Sequence, residues 1–416
     1  MIFSVVLGIT STAQGSPLPS VTNTPLTNEA AAIAELRSKA ENGNAVAQNE
    51  LGSMYEHGHN VSQDYKEAVK WYRLAAGQTN SHAQFRLGVA YYNGFGVNQD
   101  YAEAVNWYRK AAEQGEPEGE AMLGVCYELA QGVPQNYDQA VAWYRRGADH
   151  GNPSAQSCLG ECCLRGRGLR QNYADAVQWY RKAADQGYAA AQCSLGFCYD
   201  HGYGVQQDNA EGVKWYQKAA DQGNADGQFN LGSSYNHGQG VPQNYTEAVK
   251  WYRKAAEQGE ASAQCSLGTC YHTGHGIAQD NSEAVTWFRK AAEQGNGDAQ
   301  YNLGLCYYAG IGVAQQDDEM IRWWRKAAEQ GNAEGQYNLG VMYSTGRGVP
   351  QDNVQAYMWY SLAAAQNTTD AILNRDQITN SMTTWQITEG QRLTREFVAR
   401  KEGGASKLGT KSSPPR

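Results

Sequence analysis

No apolar run in this chain approaches the ~18 residues that a membrane-spanning helix needs, so no segment reads as a transmembrane span. Basic clusters are missing as well. The 34 lysines and arginines gather nowhere outside the C-terminal tail, and against 42 acidic residues they leave a net charge of −8. Nucleic-acid binders present a basic face, so that class is set aside. Enzyme signatures are also lacking: there is no His-Glu-x-x-His, Gly-x-Ser-x-Gly, Walker Gly-Lys-Ser/Thr, Ser-x-x-Lys or Cys-x-x-Cys. With only eight histidines, metal binding has little to work with. His272 and His275 lie three apart at a helix end, and His57, His201 and His237 share one repeat position, but three or four converging ligands cannot be assembled around them. No enzyme activity, metal or cofactor is therefore expected.

What the chain does have is a beat. The pair Leu-Gly recurs nine times at a spacing of 36 residues without insertion or deletion, from Leu51-Gly52 to Leu339-Gly340. A tryptophan follows each Leu by 20 positions, from Trp71 to Trp359. A fixed period of this length marks a solenoid, in which one small unit stacks on the next and no central core is required. The mean hydropathy of −0.66 agrees, because the apolar residues are Ala, Tyr and Trp at fixed positions among Gln, Asn, Asp and Glu. The array is read as residues 44–367. Residues 27–43 form an N-terminal capping half-repeat, and residues 368–402 form two capping helices. The second of these is amphipathic through Trp385, Leu393 and Phe397, with Thr383 and Gln386 as a capping box. Residues 403–416, rich in Gly, Lys, Ser and Pro, read as a disordered tail.

Ahead of the array, Ile2 to Ile9 form a short apolar stretch, and Ser11-Thr12-Ala13 offer small residues for cleavage. Residues 1–13 read as a signal peptide without the usual basic start, and residues 14–26 as a flexible linker. This favours a periplasmic or extracellular protein, with a cytoplasmic one as the alternative. The cysteines argue the other way. There are nine, an odd number, and Cys126, Cys162, Cys198, Cys270 and Cys306 fall three residues after the repeat Leu, a site for small core residues. Equivalent positions on neighbouring helices lie roughly 8–10 Å apart, beyond the ~7 Å reach of a disulfide. Mostly free thiols are expected, whereas oxidising compartments favour paired ones.

Each repeat reads as two helices. Helix A carries the Leu on a stripe such as Ala263, Leu267, Cys270 and Tyr271, starts at a capping Asn (Asn44, Asn80, Asn152, Asn224, Asn296, Asn332) and ends at Gly-x-Gly in seven repeats. Helix B starts at a capping-box spacing (Asp64/Glu67, Asp100/Glu103, Asp208/Glu211, Asp280/Glu283) and ends at glycine. The tryptophan is expected to be the wedge between the two.

The pattern A-x-x-x-L-G-x-x-Y-x-x-G-x-G-V followed by D-Y-x-E-A-V-x-W-Y-R-K-A-A-E-Q-G, met from Leu87 to Gly115, resembles the Sel1-like repeat family, a 36-residue relative of tetratricopeptide repeats. Departures are local: Cys163 replaces the helix-A Tyr, Ala130 the first turn Gly and Thr79 the closing Gly. The resemblance implies an all-α, right-handed superhelical solenoid that acts as an adaptor for protein complexes, and the little-diverged repeats look bacterial.

Function must then lie where repeats differ. Positions two before, two after and five after the helix-A Leu share one side of the helix, away from the core stripe, and would line a concave wall. Of those 27 residues, 15 are apolar or aromatic. Phe85, Tyr92, Phe229, His272, Tyr301, Tyr308 and Tyr337 are the candidate partner-binding residues, in two sub-patches, Phe85/Tyr92 and Tyr301/Tyr308/Tyr337. Exposed aromatics in a groove are a protein-recognition signal. The same residues would equally serve to pack neighbouring A helices together, and the pattern leaves both readings open. The expected function is a monomeric, non-catalytic scaffold for a partner protein or peptide; the alternative is an exported enzyme or factor acting on cell-wall material or host proteins.

Overall fold

A computed structural model describes residues 26–407 as 21 α-helices, with no strand among them. The leader and nearly all of the linker lie outside the described residues. The expected tail is helical through Lys407, and its remainder also lies outside them. Helix α1 (Leu26–Glu41) precedes nine A/B pairs, which run from α2 (Ala45–His57) and α3 (Tyr65–Gly77) to α18 (Ala333–Thr345) and α19 (Asn353–Ala364). Helices α20 (Thr369–Thr379) and α21 (Thr384–Lys407) follow. The chain divides into two compact units. One reaches Leu231 and includes Gln239–Val241; the other holds Gly232–Gly238 and everything from Pro242 on.

Within a repeat, the caps set the helix bounds. Asn80 Oδ1 accepts from the Ala83 amide to start α4 (Ser81–Asn93), and Gly94, in the left-handed region at φ 77°, ends it. Where the glycine is missing, Ala130 and Thr79 take the same backbone shape, at φ 57° and 64°. Helix B is half of the expected capping box. Asp100 accepts from the Glu103 amide, but its own N–H donates to the Tyr91 carbonyl of helix A. Glu103 is thereby free to accept from the Trp107 indole at 3.1 Å.

The residue after the tryptophan is buried at least as deeply as the tryptophan itself, and it is the one that meets the glycine of the Leu-Gly pair. Tyr108 and Tyr144 are fully buried, and Phe288, Trp324 and Tyr360 are nearly so; of the tryptophans, Trp71, Trp215, Trp287, Trp323 and Trp359 are buried, and Trp107, Trp143, Trp179 and Trp251 are only half-buried. The tyrosine ring packs against the glycine of the Leu-Gly pair: a Cβ on Gly88 would come within 2.6 Å of the Tyr108 ring. Each half-buried Trp is instead roofed by a cation one turn on, as where Lys110 sits 3.9 Å from the Trp107 ring centre and Lys254 sits 4.0 Å from that of Trp251.

A buried glutamine ties one repeat to the next. Gln84 Nε2 donates to the Ala76 carbonyl of the preceding helix B, and its Oε1 accepts from Gln114 at 2.7 Å. Gln48, Gln156, Gln192, Gln264, Gln300 and Gln336 repeat the arrangement. Each has both its amide nitrogen and its amide oxygen hydrogen-bonded in the core, which fixes the register of the stack.

The ends are closed as the solenoid logic requires. Ala40 and Leu36 of α1 pack on Ala47, Leu51 and Trp71. At the other end, Thr383 and Gln386 form a reciprocal capping box, and α21 lies along α19. Phe397 meets Trp359 edge-on at 5.4 Å, and the buried Leu362 stands three residues after Trp359, where most other repeats carry a lysine. Trp385, expected on the packed face of this helix, is 70% exposed.

Candidate interaction surface on the A helices

The two sub-patches read from the sequence behave differently. In the first unit, Phe85 and Tyr92 are 2% and 5% exposed and belong to the core that holds Leu123 and Tyr144. Phe85 packs on Tyr108 at 6.0 Å, and Tyr92 meets Tyr101 edge-on at 5.1 Å while its hydroxyl donates to Gln131. Burial pushes the Tyr92 phenol up to about 12. Here the packing alternative holds, and Phe85 and Tyr92 offer no contact surface. Phe229 is half-buried.

In the second unit, Tyr308 is 38% exposed. The Arg347 guanidinium lies 4.4 Å from its ring centre and is held there by Asp317 at 3.1 Å. Tyr301 sits two helical turns earlier on the same side of α16 (Gly297–Ala309) and is half-buried. Burial raises its phenol pKa. Tyr337, also half-buried, accepts from Asn374 and packs on Tyr360 at 6.0 Å. His272 is tied down: its Nδ1 lies 2.9 Å from Asn281 Oδ1.

Two of the three carboxylates five residues after the Leu, Glu56 and Glu128, are structural. Glu128 is buried, accepts from Tyr144 and pairs with Arg167 at 3.1 Å. Glu56 accepts from Tyr72 and pairs with Arg86. One ring cluster escaped the sequence reading: Tyr173 and Tyr203 stack at 4.9 Å, and His201 and Phe197 extend the row. Its signal is the middle residue of Gly-x-Gly, which reaches the first residue of the preceding helix B, as Phe95 reaches Tyr65.

The Sel1 repeat model matches nine consecutive segments, from residues 45–80 to 333–368. The chain belongs to the Sel1 repeat family. Among solved structures, this Sel1 repeat chain is similar to c5321, a protective antigen of uropathogenic Escherichia coli strains that displays an SLR fold. The identity is 32%, covering 92% of this chain and 99% of that one, at a TM-score of 0.47. It is similar also to a Sel1 repeat protein from Oxalobacter formigenes at 34% identity, covering 59% of this chain and 96% of that one, at a TM-score of 0.53. None of the curated proteins matches. Sel1 repeat proteins are in general protein-interaction scaffolds, typically non-catalytic. Among the described residues, no three His, Cys, Asp or Glu side chains are placed to hold a metal, and no helix is long and apolar enough to cross a membrane.

Proposed function

We propose that this Sel1 repeat chain is a non-catalytic adaptor that takes a partner protein or peptide on the A-helix side of its second unit. Tyr308 is the accessible contact, with Tyr301 on the same side of α16 and Tyr337 at the position of α18 equivalent to Tyr301. The observation that carries this reading is an exposed tyrosine packed against Arg347, which itself pairs with Asp317. Tyrosine and arginine are the side chains that most often dominate binding energy, and a preorganised pair loses little entropy on contact. The test is affinity capture with the intact chain and with a Tyr308→Ser, Arg347→Ala variant in parallel. Loss of the captured partner with helicity unchanged supports the reading; equal capture by both rejects it.

The leader read at Ile2 to Ile9 supports action outside the cytoplasm. N-terminal sequencing of the mature protein tests this, and a mature chain that still begins at Met1 counts against export.

A further inference from the structure

Between the C-terminal helix α21 and the last repeats lies a cleft of about 510 Å³. That is the size of a small-molecule site. Its apolar wall is Met358, Trp359, Leu393 and Phe397. Its charged rim is Arg325, Arg400 and Lys401 against the single carboxylate of Glu329. A cationic cleft is unexpected in a chain of net charge −8.

Two departures of the last repeat from the pattern, Gln355 and Met358, line this cleft. Gln355 lines it, four residues before Trp359, where Glu103, Glu211 and Glu319 stand in other repeats and accept from the tryptophan indole. The change removes a negative charge from the wall. Met358 stands where Lys70, Lys214 and Lys250 face solvent, and it is buried. Arg325 is held by donating to Tyr343 at 3.0 Å. Burial lowers the Lys401 ammonium pKa, and the nearby Glu329 carboxylate opposes that shift.

We propose that this cleft is a binding site for a small amphipathic organic anion, its aromatic or alkyl body against Trp359, Leu393 and Phe397 and its carboxylate at Arg400 and Lys401. An apolar ligand without charge would leave three cations facing the one carboxylate of Glu329. A bare anion would leave the apolar wall wet.

Calorimetric titration of the full chain with 1-naphthylacetate, 1-naphthylacetamide and acetate tests this. One naphthylacetate per chain is expected, with binding weakened at least about tenfold for the amide and for acetate. Gln355→Glu restores the acid that other repeats carry, so folding is not at risk. This variant and an Arg400→Glu, Lys401→Glu variant should each weaken naphthylacetate binding at least about tenfold. The proposal is overturned by equal binding of the amide, by indifference to both variants, or by no binding of naphthylacetate at millimolar concentration.

Discussion

Glu120 is fully buried, and His150 Nδ1 lies 2.7 Å from one of its oxygens. The pair stands where every other repeat puts a glutamine and its glutamine partner. Arg146 lies 3.1 Å from the second oxygen, close enough for an ion pair but outside hydrogen-bonding geometry. His150→Ala strips a buried carboxylate of its hydrogen-bond partner and is expected to cost roughly 1–3 kcal/mol. Glu120→Gln with His150→Gln rebuilds the neutral ladder of the other repeats. That double variant is expected to stay within about 1 kcal/mol of the wild type, since replacing a buried ion pair whole is often neutral. Urea denaturation of the single and double variants separates the two outcomes.

The second prediction concerns which aromatic carries the repeat. Tyr252 is 3% exposed and lies on Gly232, whereas its neighbour Trp251 is half-buried beneath Lys254. Tyr252→Ala is expected to cost about 3–5 kcal/mol. Trp251→Ala, which removes a partly wet ring, is expected to cost less. Gly88→Ala, which drives a methyl into the Tyr108 ring, is expected to cost about 1–3 kcal/mol. Thermal denaturation gives the order. A larger loss for Trp251→Ala than for Tyr252→Ala would restore the tryptophan as the wedge.

Thiol chemistry supplies the third. All nine cysteines are free and buried. Burial pushes Cys126 from an ordinary 9.0 up to about 12, and Cys270 and Cys306 up to about 11. A folded pKa raised above the unfolded one gives stability that is complete below about pH 9 and is lost as pH rises toward the folded value. Stability to urea is therefore expected to be flat from pH 7 to 8.5 and to fall between pH 9 and 11, each such thiol adding about 1.4 kcal/mol per pH unit to the slope. Cys126→Ala should make that fall shallower. Aromatic disulfide reagents should find almost no reactive thiol in the native protein at pH 8 and nine after unfolding.

The array was legible because a solenoid repeats its local solutions. Leu-Gly, the capping Asn and Asp, and Gly-x-Gly each answer a backbone demand that recurs every 36 residues. The interaction face was half legible. Position within a helix shows which side Phe85 and Tyr308 share, but not whether the next helix covers that side. Phe85 meets Tyr108 and is closed, whereas Tyr308 meets an arginine and stays open. The tryptophan is the residue the eye counts, yet contact with Gly88 belongs to Tyr108, because only a ring one position further round the helix points at the glycine. The glutamine ladder went unread because a single glutamine carries no hydropathy signal; its meaning comes only from a partner 30 residues on.

Ala130 is a test of the turn. It holds φ 57° where most other repeats place a glycine, and its N–H donates to the Cys126 carbonyl as their glycines do to theirs. A side chain in the left-handed region costs roughly 1–2 kcal/mol, while glycine adds freedom to the unfolded chain that takes part of this back. Ala130→Gly is therefore expected to stabilise the protein by about 0.5–1 kcal/mol. Gly96→Ala, at φ 71° with a Cβ that would overlap the Tyr65 carbonyl, is expected to destabilise it by more than that. The two positions share the same sign of φ but differ in the space around them. A denaturant midpoint that rises for Ala130→Gly and falls for Gly96→Ala assigns the first glycine of the turn to backbone shape and the second to close approach of the preceding helix.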